Sequence, residues 1–174
     1  VHSLTGRIDS RMMHEAFRAV KRNRGAAGVD KVSVEMFADN LEENLSALMR
    51  DLKDGTFRSE PLKRVHIPKG PGSKQTRPLG IPIVRDRVAQ EVVRRLLSPI
   101  FEPKFHEASF GFISNRNCHM AIERVLEFHR QGDLIVLDAD IQGFFDNIPP
   151  KIIMEALADE IADGNILRLV ERLL

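Results

Sequence analysis

A chain of 174 residues is long enough for one sizeable domain or two interleaved lobes. Its 43% apolar and 29% charged residues fit a soluble globular protein. No apolar run approaches the roughly 20 residues a membrane span needs, and Val1-His2-Ser3-Leu4-Thr5-Gly6-Arg7 has no apolar core of the signal-peptide kind. The start without Met suggests a piece of a longer polypeptide. Cys118 is the one cysteine, so an internal disulfide is excluded and a reducing cytosol is expected. The six histidines show no metal-ligand spacing. The formal net charge of +1 conceals a division: residues 1–116 carry 21 Lys+Arg against 14 Asp+Glu, and residues 117–174 carry 5 against 11. A basic part joined to an acidic one suits a protein that holds phosphate with one and metal ions with the other; it is also what chance asymmetry on a solvated surface produces.

Residues 3–23 read as a helix, with Leu4, Ile8, Met12 or Met13, Phe17 and Val20 at helical spacing. It runs into the basic loop Lys21-Arg22-Asn23-Arg24-Gly25 and the small-residue turn Ala26-Ala27-Gly28-Val29-Asp30. Ser33 is placed to cap a second helix whose stripe is Phe37, Leu41, Leu45, Leu48 and Leu52, with Gly55 as its stop. Leu62-Lys63-Arg64-Val65-His66-Ile67 alternates as a strand does. A Pro- and Gly-rich turn over 68–75 leads to a second extended run from Thr76 to Ile83. Helices are expected over about 85–97 and 117–130, the latter ending at Gly132. Leu134-Ile135-Val136-Leu137 is a continuous apolar run, the pattern of a central strand covered on both faces, and it leads into Asp138-Ala139-Asp140. A turn over 144–150 should open a helix near Pro150, and an amphipathic segment runs from Ile166 to Leu174.

A buried strand that delivers Asp140 to its tip would present a fixed carboxylate outside a sheet, which suits Mg²⁺ and phosphoryl transfer by two such ions. Aspartates at strand ends also simply solubilise the chain or fix a turn, and the local pattern leaves both readings open.

Asp138-Ala139-Asp140-Ile141-Gln142-Gly143-Phe144-Phe145-Asp146-Asn147-Ile148 resembles the first catalytic motif of group II intron reverse transcriptases. Arg77-Pro78-Leu79-Gly80-Ile81-Pro82 with Asp86-Arg87 and Gln90 resembles a second family motif, and Ser109-Phe110-Gly111-Phe112 with Arg116, His119 and Ala121 a third. Gly25-Ala26-Ala27-Gly28-Val29-Asp30 looks like the N-terminal extension of that family. The four motifs stand in the family's order over roughly 21–160. The resemblance implies an α+β fold: a fingers lobe of helices and a β-hairpin with its N-terminal extension over 1–131, then the first strand and helix of an incomplete palm over 132–174.

It also implies roles. Asp140 matches the first catalytic aspartate and Ile141 a backbone carbonyl ligand, for two Mg²⁺ ions in the complete enzyme; Asp138 would stand behind them. Lys69 and Arg77 match residues that clamp the nucleotide triphosphate, with Gln142, Gly143 and Phe145 beside the incoming nucleotide. Lys69 and Arg77 are equally natural on a solvated hairpin, and Phe145 as a core phenylalanine. Lys21, Arg22, Arg24, Lys63, Arg64, Arg85, Arg87, Arg94, Arg95 and Arg116 are candidates for RNA backbone contacts. The implied partners are group II intron RNA, an RNA template with DNA primer, and deoxynucleoside triphosphates, with no membrane, and with a homodimer allowed. The compartment would be the cytoplasm of a bacterial or organellar host. The full-length protein would be an RNA-directed DNA polymerase. This chain, which lacks the family's later Tyr-Ala-Asp-Asp hairpin, would be inactive alone. Departures are Gln142, where the family usually has Lys, and Ile113-Ser114-Asn115 in place of a basic stretch with Pro or Gly. The rival readings are a non-polymerising RNA-binding splicing cofactor on the same fold, and a retron, diversity-generating or CRISPR-associated reverse transcriptase.

Overall fold

The structure is a computed structural model that describes residues 3–70 and 74–174, apart from the side chains of Phe145 and Asp146. The chain divides into two compact units, Val1–Leu96 with Pro150–Leu174, and Leu97–Pro149.

In the first unit, residues Thr5–Arg7 make one 3-10 turn and α1 spans Ser10–Arg22. The single helix expected over 3–23 is thus interrupted. Asp9 takes an extended backbone and its carboxylate accepts from the Met12 N–H at 2.7 Å, which starts the helix afresh. The second expected helix is likewise two. Ser33 caps α2 (Val34–Asp39), and α3 (Leu41–Asp54) follows a break at Asn40. The Asn44 side-chain amide donates to the Phe37 carbonyl at 2.9 Å, meeting a group that the broken ladder leaves over. Gly55 ends α3 at φ +70, and a Cβ there would meet Asn165 Oδ1 at 2.6 Å, so both conformation and space favour glycine.

Strands β1 (Lys63–Pro68) and β2 (Thr76–Ile81) pair antiparallel, with Lys63 opposite Ile81 and Pro68 opposite Thr76. Pro78 has no N–H to give, so its place in the ribbon is one whose N–H faces away from the partner strand. α4 spans Val84–Phe101, longer than the expected 85–97. Val84, Val88, Val92 and Leu96 run along one side of it and are buried. They join a core made of Leu4, Ile8, Met13 and Phe17, of Leu45, Leu48 and Leu52 on α3, and of Phe57. Phe17 and Phe37 stack with centroids 5.7 Å apart. α7 (Pro150–Ala158) starts where the proline predicts, and α8 (Gly164–Glu171) buries Ile166, Leu169 and Val170.

The second unit holds α5 (Cys118–Gln131), capped by Asn117 and stopped by Gly132 at φ +104, and the single turn α6 (Phe144–Asn147). The expected central strand over 134–137 is not there. Those residues have no regular structure, and Leu134, Ile135, Val136 and Leu137 are 74%, 95%, 78% and 90% exposed. A strand exists through its ladder to a neighbour, and among the described residues the β1–β2 ribbon is the sole sheet. The α+β class holds; the palm strand does not form here. Among the described residues no helix is long and apolar enough to cross a membrane.

Asp163 links the two stretches of the first unit. Its carboxylate accepts from the Leu4 and Thr5 N–H groups at 2.8 Å each and from Thr5 Oγ1 at 2.9 Å, while capping α8 through Asn165 N and Ile166 N. These donors outweigh its partial burial and hold the carboxyl below its ordinary value. Its stabilisation is therefore full above the unfolded carboxylate value near pH 4 and is lost as the pH falls through the folded one. Asp163→Ala is expected to lower unfolding free energy by about 2 kcal/mol at pH 7, and the difference from wild type should shrink below about pH 4, as urea titrations at several pH values will show.

Candidate functional site

The ribbon carries the first group of site residues. Side chains of directly opposed residues share a face, so Ile67 and Arg77 lie together, and two steps on Lys69 faces Gln75, to which its N–H donates at 2.9 Å. Lys69 and Arg77 are thus diagonal neighbours on one face at the turn end of the hairpin, with Cα atoms about 7–8 Å apart by strand geometry. Both are exposed. Lys63, at the other end of that face, and Arg64, on the opposite face, are exposed too.

Lys21, Arg22 and Arg24 gather elsewhere. With Gly25, Ala26 and Ala27 they line a hollow of about 620 Å³ at the end of α1, closed by Ser33, Val34 and Glu35. Arg24 adopts φ +48, which turns the chain sharply after α1. Glu35 is held below the ordinary carboxylate value by its own backbone N–H, by Ser33 and by Lys21.

The remaining cations are engaged with protein. Arg85 reaches the Asp51 carboxylate at 2.7 Å and the Arg58 carbonyl at 3.1 Å, and lies over the Phe57 ring at 4.8 Å. Arg87 donates to the Ala26 carbonyl at 2.7 Å, with its Nε buried and without a partner. It thereby ties the 24–30 loop to α4, and Gly28 lets that loop approach so closely that a Cβ would stand 2.8 Å from the Ile83 backbone. Arg94 and Arg95 share Glu91 at 2.7 and 2.9 Å, and Arg95 also reaches Glu15 at 3.0 Å. These arginines hold Glu91 below its ordinary value against its burial. Arg116 donates through Nη1 to the carbonyls of His106, Glu107 and Ser109 and so shapes the loop before α5. Charge counting along the sequence cannot separate Arg85, Arg87 and Arg95 from cations turned to solvent, because each of the three has a partner in a distant segment.

In the second unit Asp138 and Asp140 are exposed, and Ile141 is 67% exposed. Gln142 and Gly143 form the turn into α6, with Gly143 at φ +60. The Asn147 side-chain amide closes it, donating to the Gly143 carbonyl at 2.8 Å and to that of Gln142 at 3.4 Å. The side chains of Phe145 and Asp146 lie outside the described residues. Asn147 is the residue that the sequence reading missed here, and an Asn four residues after a glycine turn is its signal. The Asp140 carboxylate and the Ile141 carbonyl are hard oxygen donors of the type Mg²⁺ takes. Among the described residues no group of three His, Cys, Asp or Glu gathers to complete such a site.

Asp86, which the sequence marks only as part of a motif, is buried. It is 1% exposed; Oδ2 accepts from the Glu60 N–H at 2.7 Å and Oδ1 has no hydrogen-bond partner. Burial pushes its carboxyl above the ordinary value.

The profile of the family "Reverse transcriptase (RNA-dependent DNA polymerase)" matches residues 67–172, a span that includes Lys69, Arg77, Arg116 and Asp140. Protein YkfC of Escherichia coli is 35% identical over 162 residues, covering 90% of this chain and 42% of that protein. Group II intron-encoded protein LtrA of Lactococcus lactis subsp. cremoris is 35% identical over 161 residues, 91% of this chain and 26% of that protein. Nuclear intron maturase 1, mitochondrial, of Arabidopsis thaliana is 33% identical over 90 residues, 52% of this chain and 12% of that protein. The chain belongs to the reverse transcriptase family, on its group II intron reverse transcriptase/maturase branch. It spans less than half the length of each of these curated relatives.

The two kinds of cation should separate experimentally. Arg95→Gln removes ties to Glu15 and Glu91 and is expected to cost about 1 kcal/mol of stability, whereas Lys63→Gln or Arg64→Gln should stay within about 0.5 kcal/mol of wild type, measured by chemical denaturation.

Proposed function

We propose that this chain is the nucleotide- and RNA-gripping part of an RNA-directed DNA polymerase that acts on group II intron RNA. The observation that carries the reading is the hairpin: it lies at the start of the matched family region and carries Lys69 and Arg77 as diagonal neighbours on one face at its turn end. Paired cations on a projecting ribbon suit a triphosphate, whose leaving pyrophosphate gathers negative charge as the bond breaks. Asp140 and the Ile141 carbonyl would hold Mg²⁺, which supplies charge stabilisation for the attacking and leaving oxygens. Gln142 and Gly143 form the turn beside them, where the family places the incoming nucleotide, and Phe145 follows. The fingers reading of 1–131 and the palm reading of 132–174 belong to this proposal, as do intron RNA, template-primer and a cytoplasmic site of action.

The exposed run over 134–137 supports the palm part. Four consecutive apolar residues left in water are costly to solvate, and pairing with neighbouring strands is the ordinary way to remove that cost. For RNA, the exposed cations Lys21, Arg22, Arg24, Lys63 and Arg64 are the strongest candidates, because their charges are turned to solvent.

Two measurements test the proposal. RNA binding by the chain should weaken with salt at about 0.7 log units per log unit for each phosphate contact, so about five contacts give a slope near −3.5. Affinity unchanged by salt would sink the electrostatic grip. In the full-length polypeptide, Asp140→Asn removes a charge at nearly constant volume. It should leave folding and RNA binding intact and abolish primer extension, while the 174-residue chain, with the Asp140 carboxylate and the Ile141 carbonyl to offer a metal, should extend no primer. Near-normal synthesis by the Asn variant, or extension by the short chain, would refute the assignment.

A further inference from the structure

The hairpin stands on two feet, and both rest on the start of α4. The β2 foot runs through Pro82 and Ile83 straight into the helix, which begins at Val84. The β1 foot, residues 57–61, is separate in sequence and has to be held from outside. Asp86 takes the Glu60 N–H at 2.7 Å, and Arg85 takes the Arg58 carbonyl at 3.1 Å while covering the fully buried Phe57.

Asp86 is an expensive way to fill its place. It is 1% exposed, its Oδ1 is without a hydrogen-bond partner, and the nearest cation is Arg85 Nη1 at 3.6 Å. A buried carboxylate with one unsatisfied oxygen costs stability that an apolar side chain of similar size would not. Favourable interaction with the first turn of α4 does not require burial, since an exposed acid there serves equally. What an apolar residue could not do is grip the backbone of Glu60.

We propose that Asp86 is a positioning residue for the hairpin: by tying the β1 foot to the first turn of α4, it sets the angle at which Lys69 and Arg77 are presented. The lever is long. From Lys63 to Lys69 the ribbon runs about 20 Å at roughly 3.3 Å per residue. A tilt of about 5° at the foot therefore moves the tip by about 1.7 Å, beyond the ~1 Å misplacement that already impairs a reacting geometry. This inference rests on the reading of Lys69 and Arg77 as nucleotide-binding residues.

Amide hydrogen exchange on the chain and nucleotide kinetics of the full-length polypeptide test it together. In Asp86→Ala, exchange at Glu60 and along β1 and β2 should quicken about tenfold or more while α1 and α3 keep their rates. The KM for nucleotide should rise about tenfold with kcat within about twofold of wild type. Asp86→Asn, whose amide oxygen still accepts from Glu60, should bring KM back to within about threefold. If Asp86→Ala does not fold, Arg85→Gln cuts the ties to Arg58 and, on α3, to Asp51 from a partly exposed side chain, and should quicken exchange in the hairpin and at the end of α3 while α1 keeps its rates. Unchanged hairpin exchange in a folded variant, a fall in kcat with KM unmoved, or an Asn variant as impaired as the Ala one would overturn the positioning role. A wild-type polypeptide that incorporates no nucleotide would instead overturn the polymerase reading and the nucleotide half of this inference, and the exchange result would still decide whether Asp86 anchors the hairpin.

Discussion

One carboxylate joins segments nearly the whole chain apart. Asp163 accepts from the backbone of Leu4 and Thr5 while capping α8, and the neighbouring Asn165 side chain donates to the Leu52 and Lys53 carbonyls at the end of α3. Arg172 adds bonds to the Gly55 and Phe57 carbonyls. The last helix therefore meets the backbone groups that the first turn and the end of α3 leave unpaired. Because the first unit is made of two stretches of chain, this set of polar ties is what lets the apolar faces of α1, α3, α4 and α8 close on one core.

From that core the structure builds outward to the hairpin. α4 contributes a buried apolar side and, at its first turn, Arg85, Asp86 and Arg87. These three reach the 57–60 segment and the 24–30 loop. A short stretch of sequence thus gathers a loop, a strand foot and a helix start. Asp86 and Arg87, the second of which is a candidate for RNA contact by sequence, have their immediate physical effect inside the protein.

The charge of the basic part divides along the same line. Arginines on α4 lie within reach of Glu15, Asp51 and Glu91, and their guanidinium groups complete a folded structure. Those of the loop after α1 and of the ribbon face water. Arginine suits the inward role because its planar fork serves several acceptors at once, as Arg95 does with the Glu91 and Glu15 carboxylates and the Glu15 carbonyl.

By itself the sequence determined what depends on neighbours along the chain. Ser33, Asn117, Gly55 and Gly132 mark helix ends because a cap needs one side chain or one left-handed residue at one place. The hairpin was legible from alternation on either side of a turn, and the family from motifs in order. The breaks at Asp9 and Asn40 were not, since helical periodicity runs straight through a polar residue that can either continue or restart a helix. The run over 134–137 was read as a strand because apolar composition reports a demand for burial, whereas a strand also needs a partner to take its backbone hydrogen bonds. Which arginines turn inward, that Asp86 holds Glu60, and that Asp163 reaches Leu4 were decided by tertiary structure alone, because each depends on groups distant in sequence being brought within hydrogen-bond reach.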